Sequence, residues 1–399
     1  MGTTEITSVS SDFDIFAHKP VQTSVLDTIE TAYKPIAPVD YNDLECLIPA
    51  DKDNCIHLDI KLYVRAKLVS SSKHDVDASE HTAVTNNFLH SLFSQCTVAL
   101  NDVSITQASE HYNYRSYHET LLNHCADAAA THLTNACRYR DTGRMLPCDP
   151  STTTTSATIK RGFITRLDKL NGSKELQVFG RLHSDLFNVP LVLLPGVSLQ
   201  IRLTKARPSF YMMSKTADST TTFKFLDAQL LVKRVKPDPF MLLAHTATLN
   251  TGARYKMTRV ELKTFTFSTG SKSLSMDNAV LGPVPKRLLF TMVKNADYIG
   301  SMDTNPYKFQ QYDISDFSLF VNGKQYPNEV LSLGMDHEKT SVMVYRTLFE
   351  GSGIHHSNAG YQITHDMFIH GYFMLLFDLT HDRGASEGHT SHPEHGNIS

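Results

Sequence analysis

Residues 87–122, NFLHSLFSQCTVALNDVSITQASEHYNYRSYHETLL, set an apolar run, an alternating hairpin and a tyrosine-rich segment end to end, without a catalytic signature among them. Thr97, Val98, Ala99 and Leu100 precede Asn101-Asp102, and Val103, Ser104, Ile105 and Thr106 follow. An Asn-Asp pair between two β-prone runs suits a tight two-residue turn, although the Gly favoured at its second position is missing. Further on, Tyr114, Tyr117, Leu121, Leu122 and Cys125 recur at three- and four-residue steps, which predicts a helix over His111 to Asn135 with those side chains on one face. Core packing accounts for such a stripe better than a binding role does.

The pattern on either side is mostly that of strands. Ile56, Leu58, Ile60, Leu62 and Val64 alternate with His57, Asp59, Lys61 and Tyr63, as in a half-buried strand. Leu176, Val178 and Phe179 lead into Gly180. The run Leu191 to Leu194 ends at Pro195-Gly196, and Val197, Leu199, Ile201 and Leu203 alternate cleanly. Phe223, Phe225, Ala228, Leu230, Val232 and Val235 continue the β reading. Pro237 and Pro239 suit the first turn of a short connecting helix over Phe240 to Leu249. The first forty or so residues, broken by Pro20, Pro35 and Pro38, read as an arm, and STTTTSAT at 151–158 as a polar exposed loop.

A weak repeat runs through both halves in one order. Ile60-Lys61 matches Leu262-Lys263, Leu100-Asn101 matches Val321-Asn322 at hairpin tips, Tyr114-Arg115 matches Tyr345-Arg346, and Asp185 with Phe187 matches Asp366 with Phe368. The interval from Arg115 to Asp185 is far longer than that from Arg346 to Asp366, so the first copy carries an insertion. Two β-rich halves with a small inserted helix point to tandem sandwiches.

The blocks NNFLHSLFSQCTVALND, YRSYHETLL, FGRLHSDLF and VSLQIRL, with DFDIF before them and PKRLLF, FVNGKQYP and GYFMLLFDLT after, closely resemble a family of capsid-like proteins from Polinton (Maverick) elements and adinto-like animal viruses. The similarity runs from Asp12 to Asp382, and its specificity lies in the order of the blocks. The resemblance implies an all-β chain of tandem (double) jelly-roll sandwiches with short inserted helices. It also implies a major capsid protein assembling as pseudo-hexameric homotrimers in an icosahedral shell, with neighbouring capsomers and penton or minor capsid proteins as partners and the virion as its location. The domain division expected is an arm at 1–44, a first jelly roll with its insertion at 45–236, a second at 237–384, and a flexible His-rich tail at 385–399. A minor capsid or penton protein is the rival within the structural class; a carbohydrate-binding β-sandwich lectin and, more distantly, a cupin-like metalloenzyme are rivals from other classes.

Composition agrees. The chain has 399 residues, 38 Lys plus Arg against 41 Asp plus Glu, and a formal charge of −3, which argues against a continuous basic face coating nucleic acid. Cys46, Cys55, Cys96, Cys125, Cys137 and Cys148 include no C-x-x-C pair, and MGTTEITSVSSDFDIF lacks a signal peptide's basic and apolar regions. Reduced thiols in a protein made inside the host cell, in cytoplasm or nucleus, are expected. No apolar run approaches the ~18 residues of a membrane span. Asn171-Gly172-Ser173 and Asn397-Ile398-Ser399 match a glycosylation acceptor, which means little without secretion.

The residues offer no catalytic, cofactor or metal site. G-x-S-x-G, a P-loop and G-x-G-x-x-G before a helix are all missing. Gly351-Ser352-Gly353 reads as a loop between strands, and Asp297, Asp303, Asp313 and Asp316 lack EF-hand spacing. His355, His356, His365, His370 and His381 do not form a cupin pattern, and His389, His392 and His395 sit among Gly, Ser and Pro as in a solvated tail. What remains is surface: 21 Phe and 16 Tyr, some in polar company at Tyr307, Phe309, Tyr312, Phe317 and Phe320. Arg115 and Arg346, each beside a Tyr, are either interface anchors or buried partners of carboxylates.

Overall fold

Along Lys61–Val69 half-buried and buried side chains alternate, so one face of a strand meets a core and the other meets solvent. The computed structural model that shows this describes residues 21–39, 43–70, 72, 74–76, 82–106, 110–141, 161–214, 221–333, 342–355, 358, 360–387 and 392–399. The 151–158 loop, Cys148, His356, His389 and the DFDIF block lie outside the described residues.

In the first half the strands are β1 (Val25–Tyr33), β2 (Leu44–Ile48), β3 (Cys55–His57), β4 (Lys61–Val69), β5 (Thr82–Val84), β6 (Phe93–Leu100), β7 (Val103–Ser104), β8 (Leu176–Arg181), β9 (Val192–Leu193), β10 (Leu199–Lys205), β11 (Met212–Ser214) and β12 (Thr222–Pro237). The long β12 is paired on one side by β4 and then β3, and on the other by β1; β8 and β9 complete the far edge. The facing sheet runs β2-β10-β6-β7, with Ile201 opposite both Cys46 and Val98. Inward residues of both sheets, among them Ile60, Leu62, Val64, Val98, Leu199, Ile201, Leu230 and Val232, form one core. At the β6–β7 turn Asn101 and Asp102 take φ of 46° and 64°, the left-handed pair of a type I′ turn. Its tip is held by the Ser198 N–H, which donates to Asn101 Oδ1 at 2.9 Å.

The second half has β13 (Val280–Pro283), β14 (Arg287–Thr291), β15 (Asp316–Val321), β16 (Lys324–Ser332), β17 (Met374–Asp378) and β18 (His395–Ile398). They form a β13-β18-β15-β16 sheet and a separate β14-β17 pair. Phe317 joins the two, stacked on Phe377 at 5.8 Å and 4.8 Å from Phe290.

Several expectations are corrected. The arm expected at 1–44 contains an edge strand of the first sheet, Val25–Tyr33, and its last residue, Leu44, already lies in the core. Periodicity misses β1 because most of its side chains are exposed on both faces. The tail is not flexible to its end either: β18 pairs with β13 and β15, and Ile398 is buried. The helix expected over His111 to Asn135 breaks into Tyr112–Asn123, Ala126–Ala130 and a 3₁₀ segment, His132–Ala136. At the break His124 is extended, and its carbonyl accepts from Gln362 Nε2 at 3.1 Å, a tertiary bond in place of a helical one. Gly351 and Ser352 end the helix Val342–Ser352, and Gly353 caps it at φ 78°, with its N–H and that of Ile354 donating to Phe349 O. Leu262-Lys263 lies outside any strand, unlike Ile60-Lys61. The connecting helix occupies Pro239–Thr248, with Asp238 accepting from the Phe240 N–H at 2.8 Å.

Candidate assembly interface

The inserted helix Tyr112–Asn123 binds the two halves. At about 100° per residue, Tyr114, Tyr117 and Leu121 fall within roughly 60° of arc, and Tyr112 points the opposite way. The structure uses both faces: Tyr112 packs in the first core, and Tyr114, Tyr117 and Leu121 pack in the second. Tyr117 stacks on Tyr307 with centroids 3.9 Å apart and planes 7° from parallel, while Tyr114 meets Tyr298, Phe210 and Tyr307. Each ring of this size contributes ~1.5–3 kcal/mol by burial, so the junction is a shared core and not a linker.

Charges buried beside it are paired. Arg115, on the Tyr112 side of the helix, meets Glu119 at 2.8 Å and Asp185 at 2.6 Å, and His183 Nδ1 lies 2.7 Å from Glu119. Burial alone would raise the Glu119 pKa, but hydrogen bonds and charge from His183 and Arg115 outweigh it and hold the carboxyl down at about 2. His118, against Phe309, is pushed down by burial to about 4. Arg166 is fully buried 3.0 Å from Asp141 and donates to Val84 O at 2.9 Å. The Asp141 carbonyl accepts from Tyr372 of the second half at 3.0 Å.

These contacts decide the two arginines. Arg115 is a buried carboxylate partner; Arg346 makes a half-exposed pair with Glu350 one helical turn on. Both stand in the first half of a helix, directly after a Tyr and with a Glu partner four residues later, so the repeated Tyr-Arg dipeptides occupy comparable helical positions. The last match, Asp185 and Phe187 with Asp366 and Phe368, also falls on short helical turns, with Phe187 and Phe368 both fully buried. Of the aromatics in polar company, Tyr307 and Phe309 are core, Phe317 is partly buried, and Tyr312 and Phe320 are exposed.

Exposed apolar side chains gather elsewhere. Val25, Leu26 and Ile29 stand on β1; Phe240, Met241 and Leu243 stand on the connecting helix, which buries none of its residues. The two meet where the Asp238 N–H donates to Ser24 O at 3.0 Å. Met257, Val260, Phe265 and Phe267 follow in a stretch outside any helix or strand. Among the described residues no three His, Cys, Asp or Glu side chains converge as metal ligands, and no helix is long and apolar enough to cross a membrane. The described cysteines Cys46, Cys55, Cys96, Cys125 and Cys137 form no disulfide, and burial pushes the Cys46 thiol up to about 12, which makes it a poor nucleophile.

The architecture is shared with solved virus-particle proteins. The structure of the Sputnik virophage by cryo-EM superposes with a TM-score of 0.59 at 11% identity, over 98% of this chain and 85% of the other. The crystal structure of PBCV-1 VP54, fitted into a reconstruction of the same virophage, gives 0.52 at 11% identity, over 96% and 85%. The fold is a tandem jelly roll. An uncharacterized protein of Caenorhabditis elegans is 25% identical over 263 residues, and the chain spans 58% of that relative's length. No protein-family model matches the chain.

Proposed function

We propose that the chain is a viral major capsid protein of the Polinton and adinto-like type, assembling as pseudo-hexameric homotrimers in an icosahedral shell. The observation that carries this reading is a tandem jelly roll alignable over 98% of the chain with a virophage-particle structure. The ordered sequence blocks point the same way. Two sandwiches fused through one rigid core would give each subunit two of the six corners of a near-hexagonal tile. A penton would need only one sandwich, and the fused pair therefore favours the major protein over a minor one.

In this reading the first jelly roll covers about 25–236, starting at β1, and the second runs from 237 through β18. The chain acts by contact and carries no catalytic, cofactor or metal residue. Its partners are copies of itself, neighbouring capsomers and penton proteins; its place is the virion, after synthesis inside the host cell. Expression of the full chain, followed by sedimentation and negative-stain imaging, tests this. Trimers with a six-cornered outline, or shells, are expected. A chain that stays monomeric at tens of micromolar, in every buffer that keeps it folded, overturns the reading.

A further inference from the structure

We propose that the acidic edge strand β1 of one copy pairs with the basic segment 254–268 of the next, so that a β-sheet continues across each subunit contact. The inference rests on the trimeric reading above and names the surfaces that meet.

Among the described residues strand β1 pairs only with β12, so its outer row of backbone groups meets no other strand there. Leu26 and Ile29 on it are 56% and 59% exposed. A nine-residue strand offers ~30 Å of pairing edge, and an open, partly apolar edge of that length is a site for strand addition. Its charges are Asp27 and Glu30, without Lys or Arg before Lys34. Asp27 touches its own neighbour's Thr28 N–H, and Glu30 lies 3.9 Å from Lys61.

Segment 254–268, RYKMTRVELKTFTFS, alternates apolar and polar residues in short runs, as at Tyr255 to Met257 and Phe265 to Phe267, and pairs with no strand among the described residues. Phe265 and Phe267 are half exposed. It carries Arg254, Lys256, Arg259 and Lys263 against Glu261. Its course is held: the Tyr255 hydroxyl donates to Val192 O at 3.0 Å, the Val260 N–H to Asp185 Oδ1 at 3.2 Å, and Leu262 packs on the second core.

Position supplies the third argument. Val192 lies in β9, at the edge of the sheet opposite to β1. The acidic strand and the Tyr255 end of the basic segment thus stand on opposite edges of one sheet. Two different surfaces that complement each other make a head-to-tail contact, and a head-to-tail contact closes into a ring when the rotation allows it. A self-complementary pairing of β1 with β1 would set Asp27 and Glu30 against like charges.

The test uses the full chain and charge reversal on each side: Asp27→Lys with Glu30→Lys, Lys256→Glu with Lys263→Glu, and all four together. Circular dichroism checks that each variant folds, and mass photometry across a dilution series gives the trimer dissociation constant. Either double reversal is expected to raise that constant about tenfold or more, and the fourfold variant to return within about threefold of the wild type. Hydrogen exchange should show the amides of 26–32 and 256–266 protected in the trimer and open on dilution. A trimer indifferent to both reversals, or a fourfold variant no tighter than the doubles, overturns this pairing while leaving the trimer intact. A wild-type chain that never leaves the monomer overturns the capsid reading and this inference together.

Discussion

The first sandwich closes its own core with two facing sheets, whereas the second joins a four-stranded sheet to a two-stranded pair and, among the described residues, leaves 253–279 without a strand partner. Inward side chains of β4, β10 and β12 are almost entirely buried, while β13, β14, β15 and β16 are mostly half-buried or exposed. The second sandwich is completed from outside its own strands, by Tyr114, Tyr117 and Leu121 of the insertion. The contrast teaches that one half is a scaffold able to stand on its packing, and the other holds its shape against that scaffold and leaves surface for further contacts.

The comparison breaks most sharply if the buried charge pair at the junction is dispensable. Arg166→Leu leaves the Asp141 carboxylate buried without its cation, which costs about 3–5 kcal/mol. Urea unfolding should show that loss, with both halves melting together because Tyr372 ties Asp141 to the second core. Two separate transitions in the variant would show that the halves are less coupled than the packing requires.

Acid should weaken the junction in two windows. His118 is kept neutral in the fold, its pKa lowered from 6.5 to about 4, so its contribution is present above pH 6.5 and is withdrawn as pH falls toward 4. Glu119 is kept ionised, from 4.5 down to about 2, so its contribution is present above pH 4.5 and is lost between there and pH 2. Each amounts to something on the order of 3 kcal/mol. Denaturation curves at pH 7, 5 and 3 check the total, and Glu119→Gln should flatten only the lower window.

A smaller loss is expected inside the second half. A Cβ on Gly351 would sit 2.3 Å from the Leu376 carbonyl oxygen, where the helix Val342–Ser352 lies against β17. Gly351→Ala therefore forces the two apart and should cost ~1–3 kcal/mol. Thermal unfolding measures it, and an unchanged midpoint would mean that the helix is only loosely seated.

The smallest effect sharpens the same contrast from the surface. Phe240 is 82% exposed on a helix that buries nothing, so Phe240→Ser should leave monomer stability within ~0.5 kcal/mol. Any larger change in chemical denaturation of the dilute chain would show that the helix is already covered within one copy.

Legibility followed which faces are buried. The first-half strands were readable because one face of each meets the core, which stamps alternation on Ile60 to Leu68 and on Leu199 to Leu203. The Asn101-Asp102 turn was readable because those residue types tolerate positive φ. Strand β1 was not readable, since exposure on both faces leaves no period; β18 was not, since four residues among Gly, His and Asn carry too little pattern. The stripe of Tyr114, Tyr117 and Leu121 was visible as core, but its destination in the other half's core was not. Nor could the sequence choose between surface and burial for Arg115, because Asp185 is seventy residues distant along the chain and 2.6 Å away in space.

By itself, then, the sequence determined the β class, the positions of most first-half strands, the collinear echo between halves and the lack of a recognisable catalytic motif, because local alternation and turn chemistry are written in neighbouring residues. Tertiary structure alone decided that an apparent arm supplies an edge strand, that Arg115 and Arg166 are buried in ion pairs, and that apolar surface also gathers on the helix after β12 and along 254–268. Those outcomes depend on which distant segments meet, and on how much water each meeting excludes, and neither quantity is encoded in any short window of the chain.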